Sequence, residues 1–127
     1  MIAETIDPDA VAELYRTGQE FALVDVREQW AFCRGHALLA SSCPLSSLEL
    51  MVRDLIPRKG ARVVVMDGGE AEGADLAGRA RQRLARLGYS DTRILAGGTL
   101  GWQRAGFRLF TGVHVFSKLL GEHIEQA

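Results

Sequence analysis

A glycine-rich loop that follows an apolar segment is the first place in this sequence to look for chemistry. The apolar segment is residues 63–66, and the loop consists of Asp67, Gly68, Gly69, Glu70, Ala71, Glu72 and Gly73. Four consecutive apolar residues are typical of a buried parallel strand, and a helical pattern begins soon after the loop. In α/β domains, functional groups gather where such strands end. Asp67, the first loop residue, is therefore the leading candidate for a functional side chain.

Carboxylates are concentrated in and just after this loop, at Asp67, Glu70, Glu72 and Asp75. Carboxylate oxygens are the ligands that Mg²⁺ and Ca²⁺ prefer, so a metal-dependent hydrolase is one hypothesis. The spacing matches no known calcium loop, and we expect no metal. We expect instead that at least one carboxylate accepts hydrogen bonds from loop amides near the start of the following helix, as a built-in anion.

The two cysteines offer a different chemistry. Cys33 is close in sequence to Arg34 and His36, whose positive charge would stabilise a thiolate. A reactive cysteine needs a specific electropositive pocket, so we predict that Cys33 is an ordinary residue on a helical turn. Cys43 is predicted to be a small buried hydrophobic side chain. Two cysteines are too few for a disulfide framework, which fits a reducing compartment.

Other titratable residues are predicted to have structural roles. Asp25 and Arg27 stand at the end of an apolar segment, and we expect them to form a charge network that orients loops instead of binding substrate. His36 is expected to be a hydrogen-bonded structural histidine and not a base. His114 and His123 lack the spacing of metal ligands.

Strand and helix patterns alternate along the chain. Apolar runs predict strands at residues 21–26, 63–66 and 92–95. Helices are predicted from Pro8, over residues 29–34, from Ser46 or Ser47, over residues 74–87 and around Trp102. This alternation indicates a parallel sheet covered on both faces.

In the third helix, four residues form the expected apolar side: Leu48, Met51, Val52 and Leu55.

Composition excludes several classes of function. A chain of 127 residues is expected to form one domain. Its net charge of -1, from 15 basic and 16 acidic residues, gives no basic field for a nucleic acid. The apolar segments are far shorter than the ~20 residues that a membrane span needs, and the N-terminus lacks the pattern of a signal peptide. We expect a soluble, cytoplasmic protein.

Two ordered blocks of residues resemble a rhodanese-homology domain, the sulfurtransferase module. The first block is residues 22–28, Gly35 with His36, and Pro44 with Leu45; the second is residues 87–89, residues 95–98, Trp102 and residues 105–106. The resemblance covers about residues 7–110 and is far more specific than a lone glycine motif. It implies a five-stranded parallel sheet with helices on both faces. It also implies a set of structural motif residues: Asp25, Arg27, Glu28, Gly35, His36, Gly97, Gly98 and Trp102.

The resemblance further implies a mechanism from which this chain departs. The family places a cysteine at the position of Asp67, which attacks a donor such as thiosulfate and carries the sulfane sulfur as a persulfide. Loop amides at a helix N-terminus stabilise that anion. A carboxylate cannot form such a carrier. Where the family usually has an arginine, this loop has Glu70 and Glu72, which would repel thiosulfate. We predict that residues 67–73 form a degenerate loop without a catalytic residue, and we expect no cofactor.

We divide the chain into a rhodanese-like domain, residues 1–111, and a tail or connector, residues 112–127. Apolar residues of the tail have helical spacing and would need an apolar surface to pack against; they are Val115, Phe116, Leu119, Leu120 and Ile124. With an acidic residue in place of the cysteine, this sequence resembles the first domain of proteins that are built of several rhodanese modules. The expected partners are therefore further modules of a parent chain.

Two functional hypotheses remain. The first is a non-catalytic rhodanese-like module with a structural, regulatory or docking role. The second is a working thiosulfate sulfurtransferase, either through Cys33 or through other modules of the parent chain. The reactivity of the cysteine thiols separates the two hypotheses.

Overall fold

The computed structural model describes residues 5–69 and 75–111. The predictions for Glu70, Ala71, Glu72 and Gly73, and for the tail at residues 112–127, lie outside these ranges. The strands are β1 (Thr5–Ile6), β2 (Ala22–Asp25), β3 (Ala40–Ser42), β4 (Arg62–Met66) and β5 (Asp91–Leu95). The helices are α1 (Pro8–Arg16), α2 (Gln29–Arg34), α3 (Leu48–Leu55), α4 (Leu76–Arg86) and α5 (Gly98–Arg104), with a 3₁₀ turn at Leu45–Ser47.

The five strands form one sheet in the order β1-β5-β4-β2-β3. Every strand pair is parallel, so the predicted α/β fold with a five-stranded parallel sheet is confirmed. In the centre of the sheet Val24 pairs with Val65, and Val65 pairs with Ile94. The C-terminal ends of β2, β4 and β5 therefore lie side by side at one edge, which is where an open α/β sheet binds its ligands.

Helices cover both faces of the sheet because the side chains of β4 alternate. Val63 and Val65 pack on one face with α3 and α4, and Val64 and Met66 pack on the other with α1, α2 and α5. The helix residues in these two cores are Leu48, Val52, Ala77, Ala80 and Leu84 on the first face, and Val11, Phe32 and Trp102 on the second. Each buried valine, leucine or phenylalanine side chain among them contributes roughly 1.5–3 kcal/mol by leaving water.

The prediction for the apolar side of α3 was partly wrong. Leu48 and Val52 are buried, but Met51 is 36% exposed and Leu55 is 41% exposed. Helix α3 ends at Leu55, and the chain turns at Ile56, which takes the core position instead and is 5% exposed.

The two short strands β1 and β3 had no clear pattern of their own, since they have only two and three residues.

In the described ranges, none of the helices combines the length and the apolar character that crossing a membrane requires.

Candidate functional site

The edge formed by the C-terminal ends of the strands brings the loop after β4 against the turn after β5. The Thr99 amide donates a hydrogen bond to the Asp67 carbonyl at 2.7 Å, and the Thr99 hydroxyl donates to the same oxygen at 3.1 Å. On the other side of β4, the Val26 amide donates to the Met66 carbonyl at 2.9 Å. The backbone around Asp67 is thereby fixed from both neighbouring strands.

The Asp67 side chain is buried, with 8% exposure, and its carboxylate accepts two backbone hydrogen bonds. The Gly69 amide donates to Oδ1 at 2.9 Å, and the Ala77 amide donates to Oδ2 at 3.0 Å. Ala77 belongs to the first turn of α4, whose amides carry the positive end of the helix dipole. The predicted built-in anion is therefore present, and the residue that supplies it is Asp67.

Glycines allow the loop and the turn to approach each other closely. Gly98 has φ +57°, and a Cβ placed on it would lie 2.4 Å from the Asp67 carbonyl oxygen and 2.6 Å from the Gly69 nitrogen. Gly69 has φ +96°, and its Cβ would lie 2.4 Å from the Gly97 carbonyl oxygen. Real side chains do not tolerate such distances, so any larger residue at Gly69 or Gly98 has to push the two segments apart.

A cavity of about 440 Å³ lies beside this junction. The described residues that line it include Asp67, Gly69, Asp75, Ala77 and Gly98. Asp75 is the N-cap of α4, and its Oδ1 accepts a hydrogen bond from the Gly78 amide at 3.0 Å. The two carboxylates thus accept hydrogen bonds from three backbone amides. The Gly69 and Ala77 amides donate to Asp67, and the Gly78 amide donates to Asp75.

The arrangement supplies hydrogen-bond acceptors where an anionic ligand would need donors. A thiolate or a bound anion at a helix N-terminus is stabilised by free amides, and here the Asp67 carboxylate uses two of them. Glu70 and Glu72 lie outside the described residues. Among residues 5–69 and 75–111, no cluster of three or more histidine, cysteine or acidic side chains is placed to hold a metal ion.

Asp25 and Arg27 form a buried ion pair at the end of β2. Their exposures are 0% and 7%, and Arg27 Nη2 donates to Asp25 Oδ2 at 2.8 Å while Nε donates to Oδ1 at 3.0 Å. Arg27 Nη2 also donates to the Gly35 carbonyl at 2.7 Å. The pair therefore ties the end of β2 to the end of α2. Glu28 lies outside this network, and its exposed carboxylate accepts a hydrogen bond from the Ser46 hydroxyl at 2.8 Å.

His36 is fully buried beside this network. Its Nδ1 lies 2.8 Å from the Ala37 carbonyl, and because a carbonyl only accepts, Nδ1 carries the proton. The ring stacks on Phe32, with centroids 3.9 Å apart. The backbone of His36 exchanges two hydrogen bonds with Phe110, at 2.9 and 2.8 Å. His36 therefore anchors the chain at Phe110 near the end of the described domain.

The two cysteines are unpaired and have different surroundings. Cys33 is half-buried on α2, and it is not among the residues that contact the Asp67 carboxylate. Cys43 is fully buried, as predicted, and burial, with a smaller contribution from Glu49, raises the pKa of its thiol to about 11. A thiol with so high a pKa is almost entirely protonated, and therefore unreactive, at neutral pH.

Sequence reasoning found Asp67, Gly97 and Gly98 but missed the amide donors that complete the site. Thr99 and Ala77 contribute backbone N–H groups, which no side-chain pattern reveals. The Gly97-Gly98-Thr99 turn and the start of α4 are the only signals that could have located them.

Trp102, one helical turn after Gly98, is buried and stacks on Phe107 with centroids 4.5 Å apart.

Comparison with solved structures identifies similar proteins. The chain is 41% identical to the thiosulfate sulfurtransferase from Pseudomonas aeruginosa, with a TM-score of 0.87 over 98% of this chain, and it spans only 23% of that protein's length. The rhodanese-like domain of an Anabaena protein gives a TM-score of 0.74 at 19% identity, covering 89% of this chain and 83% of that one. A 3-mercaptopyruvate sulfotransferase from Escherichia coli gives a TM-score of 0.72 at 21% identity. That match covers 87% of this chain and 51% of the other.

Among curated proteins, none matches the chain. The family model described as the Rhodanese-like domain matches residues 7–105 of the 127. That match includes β2 to β5 and the Asp67 junction, and it agrees with the resemblance carried by the two sequence blocks. The chain belongs to the Rhodanese-like domain family.

Proposed function

We propose that this chain is a non-catalytic rhodanese-like module that serves a longer sulfurtransferase as a structural, regulatory or docking unit. The observation that supports the proposal best is the Asp67 carboxylate, which accepts hydrogen bonds from the Gly69 and Ala77 amides. It places a fixed negative charge where the sulfur chemistry of the family would need a thiolate. Carboxylate oxygen does not carry sulfane sulfur.

The electrostatics of the loop support the same proposal. Thiosulfate is a dianion, and the described residues beside the cavity include two carboxylates, Asp67 and Asp75. Like charges a few ångströms apart repel, most strongly when one of them is buried. Glu70 and Glu72 add two further acidic residues between them in the sequence.

The match to a much longer thiosulfate sulfurtransferase supports the role as a module. This chain covers 23% of that protein, so further domains of a parent chain are the partners we propose. Such domains would supply the sulfur transfer, and this one would supply contacts or geometry. We also propose a cytoplasmic location, supported by two thiols that remain unpaired.

The competing function is an active thiosulfate sulfurtransferase that uses Cys33, which is partly accessible on α2. A turnover assay that detects thiocyanate from thiosulfate and cyanide separates the two. We expect the wild-type chain and its Cys33→Ser variant to show the same background rate. Turnover by the wild type that Cys33→Ser abolishes would establish the competing function.

A further inference from the structure

An apolar groove lies on the face of the sheet that carries α1 and α5. Its volume is about 540 Å³, and it is lined mainly by apolar side chains from three segments: Ala12 and Tyr15 of α1, Leu38 and Leu39 before β3, and Trp102 and Phe107 of α5 and its C-terminal extension. Grooves of this size and character are typical of binding sites. The groove is separate from the cavity beside Asp67, since the two have no lining residue in common among the described residues.

The described chain ends at the rim of this groove. Phe110 is one of the lining residues, and its backbone is held to His36 by hydrogen bonds of 2.8 and 2.9 Å. Thr111 is the next residue and the last described one. Whatever follows Thr111 therefore starts beside the groove.

The sequence that follows has the composition of a ligand for an apolar groove. Val115, Phe116, Leu119, Leu120 and Ile124 recur at helical spacing, and the intervening positions carry Ser117, Lys118 and Glu122. Such a segment buries one side and solvates the other. Phe116 is five residues beyond Thr111, so at the maximum extension of a chain it stays within about 17 Å of it.

We propose that residues 113–124 of this chain bind in the groove formed by α1, the segment before β3 and α5. Phe116 and the leucines at 119 and 120 are the anchoring side chains. The short tether favours this occupant over any free partner, because it gives the segment an effective concentration in the millimolar range. This inference does not depend on the sulfur chemistry proposed above, and either can fail without the other.

The test is amide hydrogen exchange on the full-length chain, with peptides covering residues 113–124 and, as an internal reference, β4. A helix of about a dozen residues is marginal alone in water, so slow exchange there requires docking. Two variants should release the segment: Leu39→Glu in the groove and Phe116→Glu in the tail. Their matched controls are Leu50→Glu, at an 83% exposed position of α3 on the other face of the sheet, and Ser117→Glu.

We expect protection of residues 113–124 in the wild type and both controls, and a fall of about tenfold or more in both test variants while β4 stays protected. If Leu39→Glu also exposes β4, the result with Phe116→Glu decides. Unprotected amides in the wild-type tail would overturn the proposal, as would protection that survives Phe116→Glu. Protection that appears only as the protein dimerises would assign the groove to a second copy and also overturn it.

Discussion

The Ala77 amide, in the first turn of α4, donates a hydrogen bond of 3.0 Å to the Asp67 carboxylate, which stands at the end of β4. This contact joins the central strand to the helix that follows the acidic loop. It turns the N-terminus of α4 from a site that attracts an external anion into one that already holds an anion from the chain. The stability of the domain and the lack of sulfur chemistry that we propose for it thus depend on the same side chain.

Removing the Asp67 carboxylate should destabilise the domain. In Asp67→Asn, one carboxylate oxygen becomes an NH₂ group that faces a backbone donor, so a buried hydrogen bond is lost and one amide is left unsatisfied. We expect a loss of about 1–3 kcal/mol in the free energy of unfolding, measured by urea denaturation. Asp75→Asn is the matched control, since the exposed N-cap of the same helix should lose about 1 kcal/mol or less. Equal losses would contradict the account.

Gly98→Ala should be far more damaging than a backbone argument alone predicts. The left-handed conformation costs a non-glycine residue about 1–2 kcal/mol, and at Gly98 the new Cβ would also lie 2.4 Å from the Asp67 carbonyl oxygen. Gly18→Ala provides the control, because Gly18 has φ +72° and nothing within 4 Å of an added Cβ. Thermal or urea unfolding should show that Gly18→Ala lowers the free energy of unfolding by the conformational cost alone. Gly98→Ala should lower it by clearly more.

The buried Asp25–Arg27 pair should be costly to break on one side. Arg27→Met leaves Asp25 as a buried carboxylate without its guanidinium partner, and we expect a loss of about 3–5 kcal/mol. Arg62→Met tests a more exposed pair, in which Arg62 Nε lies 3.2 Å from Asp91 Oδ2 and the side chains are 33% and 31% exposed. That control should lose about 0–1 kcal/mol. Replacing Asp25 and Arg27 together by apolar residues should cost less than the sum of the single changes.

The two cysteines should differ strongly in alkylation rate. Raising the pKa of Cys43 from 9.0 to about 11 lowers its thiolate fraction at neutral pH by roughly 100-fold, and burial blocks the reagent as well. Iodoacetamide followed by peptide mass spectrometry should show that Cys33 is modified first and that Cys43 reacts far more slowly until denaturant is added. Because only the thiolate reacts and its pKa is raised, the alkylation rate of Cys43 should continue to rise as the pH approaches 11. Rapid modification of Cys43 in the native protein would contradict its burial.

The sequence predicted the architecture because its longer elements have clear periodicity. Strand β4 has a run of four apolar residues, and α4 has apolar side chains at helical spacing, so each could be recognised without its neighbours. Strands β1 and β3 could not, because two or three residues have no period and become strands only by pairing with β5 and β2. The exposure of Leu55 likewise depends on where α3 ends, because Ile56, just after the helix, takes the buried position.

The site was predictable only as far as side chains define it. Asp67 was identified because an acidic residue stands at the start of a glycine-rich loop after a buried strand. Its partners are backbone amides of Gly69 and Ala77, and the Thr99 amide fixes its carbonyl. The Ala77 contact spans ten residues, and the Thr99 contact joins two segments 32 residues apart in sequence. Local sequence pattern does not contain such tertiary relations.

The central claim, that this domain carries no sulfane sulfur, is tested most directly by intact-mass spectrometry after incubation with thiosulfate. The wild-type chain, Cys33→Ser and Asp67→Cys should be compared, the last to show whether a thiol at the end of β4 suffices for the loop to accept sulfur. We predict no sulfur adduct on the wild type. A wild-type adduct of one sulfur atom that disappears in Cys33→Ser would contradict the claim and make Cys33 the carrier.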